Sequence, residues 1–277
     1  MKFSMSEAWR DATAMMRANR EVLLIAAGIF FFVPSVVLSL AMGDAQNVGS
    51  ANPEQAQAAI TATYAQWWWL MLLITLVSIA GSLALLTLLR DHNRPTVGEA
   101  IKAGLVGLLP AIGAYLIVAI GAVVIILLTF AVLGPLLGVD GANPTLRELM
   151  LIGSIALLIM IYPAVKLSLA APVIALDKMA NPFKVLARSW RLTKGNSLRL
   201  FLFYFLLGVV YIVLAIVIGM VMAVLVLIAG QDAFVIINAL ISGLLSAVAS
   251  VVSVAVLAAI HGQLSGPSAQ AVSATFE

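Results

Sequence analysis

The chain has 277 residues, of which 63% are apolar and only 10% charged, with a formal net charge of +3. A soluble domain carries roughly a quarter charged residues over its surface, so a water-soluble globule is excluded. The absence of cysteine removes disulfides, thiolate metal sites and cysteine nucleophiles.

The first twenty residues are polar and cationic. Met5, Ala8, Trp9, Ala12, Met15 and Met16 share one helical face, with Glu7, Arg10 and Arg17 opposite. That pattern predicts a short amphipathic helix lying in the membrane interface. Six apolar runs follow, at about 22–42, 67–89, 104–133, 149–176, 199–229 and 233–262. About twenty apolar residues are needed to cross the hydrocarbon, and only a helix satisfies its own backbone there. The first run is too long for a secretory signal core. Trp67, Trp68 and Trp69 open the second run, as an interfacial aromatic anchor does. Pro110, Pro163 and Pro172 are the expected kink sites, because proline donates no backbone hydrogen bond.

Two further amphipathic segments are expected. One opens at Pro95 with Val97, Ala100, Ile101 and Leu105 as its stripe. The other opens at Asn181-Pro182, a cap followed by a first-turn proline; Phe183, Leu186 and Trp190 line one side, and Lys184, Arg188 and Arg191 the other.

Thirteen of the fifteen lysines and arginines fall before run one, between runs two and three, or between runs four and five; Arg147 alone falls in the alternate connections. By the positive-inside rule both termini are therefore cytoplasmic. The expected fold is an all-α membrane protein, a single integral domain over 1–277. Its six spans form three hairpins, each preceded by a cytoplasmic interfacial amphipathic helix. The units are 1–89, 90–176 and 177–262, related by a repeat of about ninety residues, and 263–277 is a flexible cytoplasmic tail.

Ala171-Pro172-Val173-Ile174-Ala175-Leu176-Asp177, followed by Ala187-Arg188-Ser189-Trp190-Arg191-Leu192-Thr193-Lys194-Gly195-Asn196, resembles a signature of certain bacterial six-span proteins. These are the membrane domain of glycerophosphoryl diester phosphodiesterases and the YciC-like inner-membrane proteins. The resemblance implies a bacterial inner-membrane protein and brings no active site, because the chemistry of fused relatives belongs to a separate soluble barrel.

Catalytic groupings are sparse. His92 sits in a polar turn, and His261 closes the sixth run with no carboxylate near it in sequence. No metal-binding spacing, phosphate loop or nucleophile elbow occurs, so neither an enzyme nor a cofactor is expected. Lys166 is the one ionisable residue inside a run. It either faces a cavity or partner or snorkels to the inner headgroups, and as a site it would anchor an anionic headgroup. Lys184, Arg188, Trp190, Arg191 and Lys194 complete the expected surface for anionic lipid. A polar stripe of Asn238, Ser242, Ser246 and Ser250, continued by Ser253, has a counterpart in Thr75, Ser78 and Ser82. Such stripes either pack helices closely or line a hydrated path.

The function expected is thus non-enzymatic engagement of membrane lipid, in envelope organisation or within a membrane assembly. A second copy or another membrane protein is the expected protein partner, and nucleic acid is not expected. The alternative is a transporter or channel for a lipid-like or small apolar solute.

Overall fold

The computed structural model describes residues 2–42, 53–90, 96–139 and 145–266, and among them there is helix but no strand. His92 and Pro95 lie outside the described residues. Helix α1 is Met5–Ala18 and α2 is Arg20–Ala41. Then come α3, Pro53–Arg90, α4, Val97–Leu136, α5, Leu146–Leu167, α6, Ala170–Leu176, and α7, Pro182–Leu192. The final helical run, Ser197–Ser265, holds two spans, α8 (Ser197–Leu225) and α9 (Ala233–Ser265). Six helices are long and apolar enough to cross a membrane, α5 and α6 together making one of them.

A straight helix of 69 residues would be about 100 Å long. Yet Phe3 N donates to Asn196 Oδ1 at 2.9 Å, while the next residue, Ser4, donates its N–H to Gln263 Oε1 at 3.3 Å. The two ends of the run therefore meet, and α8 and α9 lie antiparallel. Arg199 Nη1 donates to the Phe3 carbonyl at 3.4 Å, and the Phe3 ring sits edge-on to Phe203. Those contacts bury Phe3. Gln263 belongs to α9, which runs three residues into the stretch expected as tail.

Small residues set the close helix crossings. On α4, Ala100, Gly104, Gly107, Ala111 and Ala114 are buried at helical spacing. They face α3, where a side chain added at Gly104 would strike the Ala80 carbonyl and Ala84. A Cβ on Gly243 of α9 would come within 2.6 Å of Val36 and 3.1 Å of the Phe32 carbonyl on α2. In α2 the turn Gly28–Phe32 is π-helical, with Val33 N bonding back to the Gly28 carbonyl. It ends two residues before Pro34, whose ring nitrogen cannot donate to the ladder.

Several expectations change. Of the three expected kink sites, Pro110 lies inside continuous α4, whereas Pro163 and Pro172 bracket a break at Ser168–Leu169. The second amphipathic segment is no separate helix: a capping box at Thr96 and Glu99 starts α4, which continues unbroken into the span. The first and third segments end alike. Asn19 (φ −117°, ψ 20°) and Asn196 (φ −120°, ψ 6°) cap α2 and α8 in nearly the same conformation. On α1 Ala8 and Ala12 are fully buried against the bundle, and Met5, Met15 and Met16 pack on the same core, whereas Trp9 is 43% exposed. On α7 it is Val185 and Ser189 that point inward, while Phe183 is 70% exposed. The polypeptide from residue 53 to 66, which precedes the second apolar run, is helical as well.

Candidate functional site

The end of the bundle that carries Phe3 also gathers the polar side chains of α5, α7 and α9. Helix α7 starts at Asn181, whose side chain accepts from Lys184 N at 3.2 Å, as an N-cap does. Because α5 stops at Leu167, the Lys166 carbonyl lies in a helix end that needs outside donors. Ser189 Oγ supplies one at 2.9 Å and Thr193 Oγ1 another at 3.3 Å. These bonds hold α7 across the end of α5.

Lys166 itself is buried. Its Nζ lies 5.5 Å from the Trp190 ring centroid and 5.6 Å from that of Tyr162, and the two rings meet edge-on at 5.7 Å. No carboxylate pairs with it among the described residues. Cation–π attraction strengthens as the cation is desolvated, so the aromatic pair stabilises a charge that would otherwise be costly to bury. Lys166 therefore faces protein rings instead of extending freely toward headgroups.

Asp177 bridges two elements. Its Oδ2 is 3.2 Å from Arg188 Nε on α7, and its Oδ1 is 3.2 Å from His261 Nε2 on α9. His261 is buried, and Arg188 keeps 39% of its side chain exposed. Sequence reasoning missed this link because Asp177 and His261 are far apart in the chain. Their shared position at the ends of apolar runs was the only signal. The expected basic surface thus divides: Lys166 and Arg188 have partners within the protein, whereas Lys184, Arg191 and Lys194 are exposed. Trp190 lies between the two sets, 40% exposed.

The polar stripe of α9 has two kinds of neighbour. Ser35 Oγ on α2 donates to Ser246 Oγ at 2.9 Å, a packing contact. Ser246 and Ser242 also line a cavity of about 480 Å³ with Ser35, Ser39 and Tyr64. Ser246, Ser250 and Ser253 line another of about 330 Å³ with Ser82, Tyr115 and Tyr211. Ser82 and Tyr115 reach a third, of about 270 Å³, beside Ser168. Thr75, Ser78 and Asn238 line none of these three; Thr75 is exposed and donates to its own helix at the Met71 carbonyl. Lys166 borders none of them either.

A fourth cavity, of about 570 Å³, lies between α3, α4 and the connection after α6. Lys102, Lys178, Glu99 and Thr87 supply its polar groups. Among the described residues no three His, Asp or Glu side chains come together as a metal site would require.

Asp177, Arg188, Lys166 and His261 all fall in one segment with a known relative. Residues 144–265 match the membrane domain of glycerophosphoryl diester phosphodiesterase. The match bears out the resemblance read from residues 171–196 and extends it from the start of α5 to the end of α9. It covers the membrane domain and not a catalytic one. No curated protein and no solved structure matches the chain. With six apolar helices, the chain is a multi-pass membrane protein.

Proposed function

We propose that this protein is a non-enzymatic component of the bacterial inner membrane that engages anionic lipid at its cytoplasmic surface, in envelope organisation or as a subunit of a larger assembly. Both termini are cytoplasmic in this reading, and the spans work as three hairpins, two of them preceded by helices that lie across the bundle end. The observation that carries it is the exposed cationic edge of α7. Lys184 and Arg191 project from a helix whose inward face is fixed by Ser189 and Val185, and Lys194 stands exposed in the turn just after it. Cations near an anionic leaflet contribute about 1 kcal/mol each, so three together support a marked preference for acidic lipid. Lys166 and Arg188 act in this reading by positioning α7, through the Trp190 ring and Asp177.

The test is lipid selectivity of the purified protein in mixed micelles of phosphatidylglycerol and phosphatidylcholine. Enrichment of phosphatidylglycerol that falls at least tenfold in the triple variant Lys184→Gln, Arg191→Gln, Lys194→Gln supports the proposal. Equal uptake of both lipids, or enrichment unchanged in the variant, overturns it.

The serine-lined cavities favour a second reading, as a transporter or channel for a lipid-like or small apolar solute. They share Ser246, Ser82 and Tyr115 from one to the next and so form a series along α9. Uptake of a lipid analogue into proteoliposomes, abolished by Ser246→Leu, is the result this reading requires.

A further inference from the structure

We infer that the cleft between α3, α4 and the α6–α7 connection is a binding site for a single anionic phospholipid, its phosphate between Lys102 and Lys178. The inference deepens the lipid-engaging reading above and rests on it for the class of ligand, but it concerns different residues from those of α7.

The cleft is amphipathic in the way a lipid is. Its polar side carries Lys102, Lys178 and Thr87, and its apolar side carries Val106, Pro110, Ile174 and Met179. At about 570 Å³ it falls within the usual range for small-molecule pockets, roughly 300–1,000 Å³. That is enough for a headgroup and the start of its chains.

The charge is unbalanced toward cation. Neither lysine has an ion-pair partner among the described residues. Among the described residues the one acid in the lining, Glu99, is already engaged: its Oε2 accepts from Thr96 N at 2.8 Å and from Thr96 Oγ1 at 3.1 Å. That capping box holds the carboxylate at the start of α4. Two cations facing one occupied carboxylate favour a phosphate.

The direction of access separates a lipid from a soluble anion. Val106 lines the cleft and is 71% exposed; its neighbours Leu105 and Leu109 are 59% and 78% exposed. These residues form the apolar outer surface of a spanning helix, so the cleft opens sideways toward hydrocarbon as well as toward the polar end. A free phosphate would use only the lysines, whereas a lipid uses the lateral opening too. Lys178 adds a conformational signature, with φ at +52°, a region that non-glycine residues occupy infrequently. It follows Asp177, which is held from two sides by Arg188 and His261, so the clamp fixes the backbone from which Lys178 departs.

The experiment is native mass spectrometry of the full chain released from detergent, titrated with phosphatidylglycerol, phosphatidylcholine or glycerol 1-phosphate. The unmodified protein should retain one phosphatidylglycerol at collision energies that strip phosphatidylcholine, and should retain no glycerol 1-phosphate. Lys102→Gln combined with Lys178→Asn, in which asparagine tolerates the left-handed backbone, should lower the retained adduct at least tenfold. Val106→Trp, a bulky change at an exposed position that leaves the charge untouched, should do the same by filling the cleft. Neutralising Lys184, Arg191 and Lys194 should leave this single adduct in place. An adduct indifferent to both cleft variants, equal retention of phosphatidylcholine, or retention of glycerol 1-phosphate would overturn the inference. Loss in the cleft variants with no lipid phenotype in the α7 variant would uphold the cleft and reject the α7 surface.

Discussion

Helices α3 and α9 differ from α4 and α8 in where they turn their apolar surface. In the most apolar stretch of each, 44% of residues are buried in α3 and α9 but only 6% in α4 and α8. The peripheral pair is also the more apolar, the reverse of a soluble protein, in which the most apolar helix is the most enclosed. The solvent explains the inversion. Lipid accepts leucine and valine as readily as a protein interior does, so association between spans rests on close packing and polar contacts. Ser246 and Gly243 on α9, and Gly81 on α3, are placed accordingly, each against a side chain of α2.

That contrast can be broken most forcefully at the helix crossings. Gly104→Leu should be the most disruptive single change, because the Cβ alone meets the Ala80 carbonyl. Overpacking costs about 1–3 kcal/mol and at times more, and here backbone must move. Leu109→Ala, on the same helix but 78% exposed, should change stability by less than about 0.5 kcal/mol. Denaturation in mixed micelles checks both, and equal effects would erase the distinction between the two faces.

A smaller loss is expected at Asp177, whose carboxylate ties α7 and α9 together. Asp177→Asn should cost about 1–2 kcal/mol, toward the lower end of charged hydrogen bonds because Arg188 remains partly solvated. The same denaturation experiment, run as a double-mutant cycle with Arg188→Gln, isolates the pair. Coupling near zero would show that α7 is held by Ser189 and Val185 alone.

The weakest effect belongs to the serine stripe. Ser246→Ala removes the bond from Ser35 and should cost about 0.6 kcal/mol, the average for interhelical hydrogen bonds in a membrane. A loss of several kcal/mol would mean that the stripe is structural throughout rather than partly exposed to cavities.

Much of this architecture was legible because hydrocarbon imposes a length and a composition on any span. The six runs follow from that alone, and the α7 cap at Asn181-Pro182 follows from local capping chemistry. What was not legible depends on encounters between distant segments. Nothing near His261 in sequence announces Asp177, and nothing in Met1 to Ser4 announces that Phe3 is to be locked between Asn196 and Arg199. Nor does the stripe of Phe183, Leu186 and Trp190 announce that Val185 and Ser189 form the face of α7 turned into the protein, where the end of α5 comes close and presents a carbonyl. The small-residue face of α4 was readable at Ala100, Gly104, Gly107, Ala111 and Ala114. It was overshadowed by the expectation of a separate amphipathic helix there.

The proposed function turns on which side of the membrane α7 faces, and the absence of native cysteine makes that directly measurable. Single variants Lys194→Cys and Gln57→Cys, treated in spheroplasts with a membrane-impermeant maleimide, report the two ends of the bundle. The account predicts labelling of Gln57→Cys in intact spheroplasts and of Lys194→Cys only after permeabilisation. Labelling of Lys194→Cys before permeabilisation, with Gln57→Cys protected, would place the cationic edge outside and contradict it.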